Sequence, residues 1–364
     1  MKARMFVVDE KTIEKVRSKM EVSAIVPEPV DKSGKIRMGW LNTVIDIASD
    51  LMQVEIGDYI FLWETGTQKI YGVYRAISQP FYSKECGDND IFKIKIDKVY
   101  DFKNPINEYD IINNPHMKNK LWNLIGKKVA GKSRATTPIT FEEMQFLIQA
   151  LIGINNRAFS YYPGYEKKEV DNKLSFNLAD EIEKDIPSSL DDYQYEPFKI
   201  KKKSEVYYEK ALEGILNIWI RDKEKEKLAA LDIDIKNIIW YANNLPYGIE
   251  QSQMDYMIME SVDGSNINKI DVLELKKDII DYDHINRCLR YAKWVKETIA
   301  NENEIVRPIL VCGEKSYTSK NGFKNRMIED AINQLPSRYG FEGVDIYTYQ
   351  VENNTINFKK FQGE

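Results

Sequence analysis

The chain has 364 residues, 43% of them hydrophobic and 30% charged, which is enough apolar material for two domains with separate cores. No run reaches the ~18 apolar residues of a membrane span, the N-terminus Met1-Lys2-Ala3-Arg4-Met5-Phe6-Val7-Val8-Asp9 meets charge too soon for a signal peptide, and Cys86, Cys288 and Cys312 show no paired spacing. These features point to a cytoplasmic protein without membrane contacts, exclude a Cys/His zinc cluster (the chain has two histidines), and, with a net charge of -5, exclude nucleic-acid binding by bulk field.

Taken in chain order, residues 1–152 have short strands, frequent glycines and many aromatics. Gly57-Asp58-Tyr59-Ile60-Phe61-Leu62-Trp63 predicts a turn and a strand, and Lys69 to Ile77 the next strand, joined by Glu64 to Gln68. Ile91 to Val99 alternates apolar and polar residues as a half-exposed strand does. Together they predict a small, open β-barrel. Pro138 to Met144 starts a helix, with Thr140 as N-cap and Glu143 completing a capping box. Residues 153–203 carry an acidic stretch, a short predicted helix from Leu178 to Asp185 and the run Lys199-Ile200-Lys201-Lys202-Lys203, and read as a charged, extended linker. With Gly126 to Arg134, that run is one of the two densest basic stretches, each a surface turn or a phosphate contact.

Residues 204–364 form the second expected domain. Gln253 to Met259 reads as a strand, Asp263-Gly264-Ser265-Asn266 as a hairpin turn, and Lys269 to Lys276 as a buried strand whose last turn carries Glu274-Leu275-Lys276. Residues i and i+2 of a strand share a face, so Glu274 and Lys276 point the same way, and the hairpin brings Asp255 beside Glu274. Two carboxylates on adjacent strands suit Mg²⁺ (or Mn²⁺), which keeps waters and takes phosphate oxygens as remaining ligands. Lys276 would then hold a nucleophilic water or stabilise charge on a phosphoryl group. A salt bridge at a strand end is the other reading of the same three residues. Further strands are predicted over Ile305 to Cys312 and Val344 to Tyr349, with a helix from Phe323 to Leu335 between them.

The motifs Val272-Leu273-Glu274-Leu275-Lys276-Lys277 and Cys288-Leu289-Arg290-Tyr291-Ala292-Lys293-Trp294-Val295 resemble the PD-(D/E)xK nuclease superfamily, and within it the NucS-type DNA endonucleases. The resemblance spans roughly residues 204–362. It implies a mixed sheet flanked by helices, Asp255 and Glu274 as metal ligands, Lys276 as the catalytic cation, and Tyr291 packed near the metal water. It also implies an acid from the first helix, here Tyr208 to Leu216, with Glu209 the candidate and Glu213 next. Glu250 is a possible further acidic neighbour. The family helix usually carries Gln four residues before the Tyr, where this chain has Arg287, a residue able to contact phosphate in its place.

In the first half, the order of "GD-Y-I-F-L-W", "I-Y-G-V-Y-R-A-I", "Q-P-F-Y" and "G-K-S-R-A-T-T-P-I-T" resembles the PUA-like superfamily, in particular EVE domains. That resemblance implies a reader that holds a modified or flipped-out base, for which Trp40, Trp63, Tyr74 and Trp122 offer stacking faces and Ser133 and Arg134 polar contacts. Core packing is the alternative reading of each aromatic, since a small barrel needs a large apolar content that Trp and Tyr supply. The combined expectation is an α+β or α/β, two-domain protein, an EVE-type barrel with helices followed by a PD-(D/E)xK mixed sheet flanked by helices, acting as a modification-dependent restriction endonuclease on double-stranded DNA. One site per chain cuts one strand, so cutting both would need a homodimer or two binding events. A NucS-like mismatch- or structure-specific endonuclease, and a non-catalytic binding protein with a decayed nuclease fold, are the alternatives.

Overall fold

A computed structural model of the chain describes residues 2–25, 46–47, 49–82, 90–100, 102–113, 120–124, 136–159, 209–247, 252–264, 266–277, 280–313, 322–352 and 355–361. They divide into two compact units. Described residues within 2–25, 54–124 and 136–159 belong to the first, and those within 46–53 and 209–361 to the second. Trp40, Ser133, Arg134, Glu250, both basic runs and the helix expected at 178–185 lie outside the described residues.

The first unit runs β1 (Ala3–Val8), α1 (Glu10–Lys19), β2 (Glu21–Ile25), β3 (Tyr59–Glu64), β4 (Lys69–Ala76), β5 (Phe81–Tyr82), β6 (Asp90–Lys98), β7 (Ile106–Asn107), α2 (Glu108–Ile112), β8 (Thr136–Ile139) and α3 (Phe141–Phe159). The sheet order is β2-β6-β4-β3-β1-β8, with β5 on β6 and β7 on β4. β1 pairs parallel with β3, and the other ladders are antiparallel. The Asp9 carboxylate caps α1 by accepting from Thr12 N–H at 2.7 Å, and Met20 ends it in the left-handed region at φ 53. The capping box of α3 forms as expected. Thr140 N–H donates to Glu143 Oε2 at 2.8 Å and Glu143 N–H to Thr140 Oγ1 at 3.2 Å. The same buried carboxylate accepts from Asn123 and Leu124 N–H at 2.9 and 3.1 Å, which ties the 122–124 turn to the helix. Met144, Leu147, Ile148 and Leu151, spaced as one helical face, pack on Met5, Phe61 and Ile139 of the sheet.

The second unit contains α4 (Lys210–Arg221), α5 (Lys225–Ala229), a 3₁₀ turn (Ile235–Asn237), β9 (Ile238–Tyr247), β10 (Ser252–Glu260), β11 (Lys269–Leu275), α6 (Tyr282–Thr298), β12 (Ile305–Gly313), α7 (Gly322–Arg338), β13 (Asp345–Glu352) and β14 (Thr355–Lys360). Its sheet order is β14-β13-β12-β11-β10-β9. β11, β12 and β13 pair in parallel through crossovers that carry α6 and α7, whereas the two edges pair antiparallel. One sheet face, with Tyr241, Tyr256, Leu273, Leu275 and Val311, packs on Leu212, Leu216 and Trp219 of α4. On the other, Leu310 and Cys312 pack on Ile285, Cys288 and Leu289 of α6 and on Ala331 and Leu335 of α7. Both faces are covered, so the parallel strands are largely apolar, and the buried polar side chains they carry stand out. Among the described residues no helix is long and apolar enough to cross a membrane.

Candidate active site

Asp255 lies in β10 and Glu274 in β11. The two strands pair antiparallel with Tyr256 opposite Leu273, so the next step of the ladder sets Asp255 against Glu274. Tyr256, Leu273 and Leu275 point to α4, which by the period of two sends Asp255 and Glu274 to the α6 face. Lys276 follows β11 directly, its N–H held by Val311 O at 2.8 Å.

The Lys276 ammonium sits inside a ring of oxygens. Nζ lies 3.0 Å from Glu209 Oε1, 3.1 Å from Asp255 Oδ2 and 3.2 Å from Glu274 Oε1, and donates to Leu275 O at 2.8 Å. Glu209 stands at the N-cap position of α4 in helical conformation and makes no capping bond, so its carboxylate is turned to Lys276 instead. Asp255 Oδ2 also accepts from Leu275 N–H at 2.9 Å, which locks β10 to the end of β11. The structure therefore brings together Asp255, Glu274, Lys276 and Glu209.

Burial pushes the Asp255 carboxyl up, but the Lys276 and Lys210 ammonium groups and the Leu275 N–H outweigh it, and the group is held below the usual range. Burial pushes Glu274 the same way, the charge of Asp255 adds to it, and here Lys276 and Arg287 do not compensate, so Glu274 stands well above the usual range. For Lys276 burial acts to lower the ammonium, and three neighbouring carboxylates reverse it, leaving it raised. Burial and the neighbouring charges thus push the two carboxyls in opposite directions.

Glu274 Oε2 is buried and has no hydrogen-bond partner. A raised, buried carboxyl leaves that oxygen to be satisfied by its own proton or by a bound cation. Glu274, Asp255 and the Leu275 carbonyl form the hard-oxygen set that could hold Mg²⁺ or Mn²⁺. Among the described residues no three His, Cys, Asp or Glu side chains are grouped as metal ligands, so an ion bound by the two carboxylates would complete its shell with water and substrate oxygens.

Helix α6 supplies the outer wall. Arg287 Nη1 lies 3.4 Å from Glu274 Oε1 with nearly half of its side chain exposed. It adds a charge on the solvent side of Glu274. Tyr291, one turn on, is buried and packs against Tyr247 at 4.8 Å between ring centroids, while Arg290 lies over Tyr247 at 5.7 Å and Trp294 meets it edge-on at 5.9 Å.

Sequence reasoning missed Lys210, Asn243 and Asn244. Lys210 Nζ bonds Glu213 and Asn244, and both asparagines donate to Glu213. An Asn-Asn pair inside an otherwise apolar strand was the available signal.

Of the expected base-pocket residues, Trp63 on β3 is half-buried and packs on the core of the first unit, Tyr74 on β4 is buried, and Trp122 is half-buried. Trp63 pairs with Ile70 and Tyr74 with Ile60, so across the register shift their backbone positions stand three to four residues apart along the ladder, about 10–13 Å.

No protein-family model matches the chain, and no curated protein matches it. Among solved structures, human THYN1 in complex with 5-methylcytosine-containing DNA is 14% identical with a TM-score of 0.29, covering 42% of this chain and 98% of its own. Rpa0253 from Rhodopseudomonas palustris is 11% identical with a TM-score of 0.29, covering 42% and 94%. A complex of the YTH domain-containing protein mmi1 with RNA is 13% identical with a TM-score of 0.26, covering 43% and 87%. Similarity at this level decides neither fold family nor function.

Proposed function

We propose that the second unit hydrolyses DNA phosphodiester bonds with Mg²⁺ or Mn²⁺ and that the first unit selects DNA carrying a modified base, which makes the protein a modification-dependent endonuclease of the restriction type. The observation that carries the nuclease reading is the Lys276 ammonium gripped by Asp255, Glu274 and Glu209 at 3.0 to 3.2 Å, on the sheet position where the E-x-K motif led us to expect it. Asp255 and Glu274 would hold the ion, which when bound acidifies a water and neutralises phosphate charge. Lys276 is placed to orient that nucleophile and to stabilise charge developing on the phosphoryl oxygens. Glu209 holds the ammonium beside the two carboxylates, Arg287 offers an exposed guanidinium to a phosphate, and Tyr291 buttresses the wall behind Glu274. The reader assignment rests on the ordered EVE-like motifs, with Trp63 and Trp122 as the half-buried aromatics left to contact a base.

The test is cleavage of modified phage DNA against unmodified plasmid, with Mg²⁺ and with chelator. Metal-dependent cutting of the first alone is expected. Equal cutting of both, or of mismatched duplex only, rejects the reader reading in favour of a structure-specific enzyme. Glu274→Ala and Lys276→Ala should each lose roughly a hundredfold or more in rate while keeping DNA binding. One observation favours a binding protein with a decayed site, namely the Arg287–Glu274 pair at 3.4 Å, and binding without any metal-dependent cutting would establish it.

A further inference from the structure

We infer that Gln53, Asn243, Asn244 and Glu213 are positioning residues for the Asp255 carboxylate, so that part of the machinery around the candidate site is encoded in the N-terminal half of the sequence. Describing that machinery as catalytic rests on the nuclease reading. The positioning itself does not.

The hub is Glu213 on α4, fully buried and therefore costly unless its charge is matched. Its Oε2 accepts from Asn243 Nδ2 at 2.7 Å and Asn244 Nδ2 at 2.6 Å, and its Oε1 from Lys210 Nζ. Consecutive residues of a regular strand point to opposite faces. Tyr241 and Asn243 face α4, so Asn244 should face away, toward Asp255. It reaches Glu213 because its backbone is left-handed at φ 54, a conformation that Asn tolerates better than most residues. The β9–β10 ladder pairs Leu245 with Met254 and Asn243 with Tyr256, which puts this irregularity directly opposite Asp255. A strained residue in mid-strand, held by its own side chain, is a device that fixes backbone position. Asn244 Oδ1 in turn accepts from Lys210, the ammonium whose charge Asp255 feels.

Residues 49–53 close the layer from behind. Gln53 Nε2 donates to Asn243 Oδ1, Asn243 Nδ2 lies 3.4 Å from Asp50 Oδ1, and Ser49 O accepts from Asn217 Nδ2 at 2.8 Å. Asn217 Oδ1 then accepts from the hydroxyl of Tyr256, the neighbour of Asp255, at 2.5 Å. Gln53, Ser49, Asn217, Asn243 and Asn244 are all buried, all lie within the second unit, and lead by two routes to the same point of β10.

The experiment uses the full chain and reads native-state amide exchange at Leu275, whose N–H donates to Asp255 Oδ2 at 2.9 Å and so reports where that carboxylate stands. In Gln53→Ala and Asn244→Ala the Leu275 amide should exchange roughly tenfold faster, as expected when a neutral buried bond is lost, with Ile346 and Thr348 in β13 unchanged. Asn244→Gly, which keeps the left-handed backbone but not the amide, should give a smaller loss than Asn244→Ala. Unchanged Leu275 exchange overturns the inference, and so does an equal rise at Ile346 and Thr348, which would mean general loosening. Cutting by the wild-type protein is measured separately, so failure of the nuclease reading and failure of the positioning are told apart.

Discussion

Replacing Lys276 by Met removes the ammonium and keeps most of its apolar stem. Nζ stands 3.0, 3.1 and 3.2 Å from three carboxylate oxygens, and at an effective dielectric constant of about 20 each such contact amounts to about 5 kcal/mol. Most of that is offset by the cost of burying the ammonium, and what survives when one partner of a buried ion network is deleted is about 3–5 kcal/mol, because the remaining charges are left unpaired. For a unit of this size the loss corresponds to a melting temperature lower by about 10 °C. Glu274→Gln is the informative partner. It fixes the neutral form that burial and the Asp255 charge favour, without changing shape, and Asp255 and Glu209 still satisfy Lys276, so its stability should lie within about 1 kcal/mol of wild type or above it. The assay is thermal unfolding of the full chain in chelator at pH 8, followed by tryptophan fluorescence, since Trp219 and Trp240 are buried in the second unit. Equal destabilisation by the two variants would show that the cluster is held by packing and hydrogen bonds rather than by charge, and would refute the reasoning.

Other expectations concern different parts of the molecule. Burial and a hydrogen bond with Asp271 raise the Glu260 carboxyl to about 7; because the folded value exceeds the unfolded one, its contribution is present below pH ~4.5 and lost as pH rises through about 7. Glu260→Gln should therefore flatten the stability–pH curve between those values, by on the order of 1–3 kcal/mol, in urea titrations. A Cβ added at Gly72 would stand 2.8 Å from the buried Phe61 ring, so Gly72→Ala should destabilise the first unit by about 1–3 kcal/mol in chemical denaturation. On the proposed nuclease reading, Arg287→Gln, which removes the guanidinium that lies 3.4 Å from Glu274, should lower the Mg²⁺ concentration for half-maximal cutting, and a higher requirement would show that Arg287 serves the substrate instead.

Much of the second unit was legible because its information is local. The apolar and β-branched content of Gln253 to Met259 and Lys269 to Lys276, with turn residues between, is enough to define a hairpin, and a hairpin's register places Asp255 against Glu274. Glu274 and Lys276 then share a side by strand geometry alone. The same holds for the β3–β4 hairpin and for the capping box at Thr140 and Glu143, whose partners are three residues apart. The parallel pairing of β1 with β3 had no such signal, since its partners are more than fifty residues apart and β1 carries no turn that announces a mate.

From the sequence alone, then, follow the three residues Asp255, Glu274 and Lys276 and the strands that carry them, because alternation and turn chemistry act over a few residues. Only the tertiary structure could decide that Glu209 turns from capping its helix to Lys276, that Arg287 reaches Glu274, and that Gln53 meets Asn243 across 190 positions of sequence. The reason is that buried charge must find partners wherever the packed chain brings polar atoms near, and no periodicity in the chain encodes which distant segment that will be.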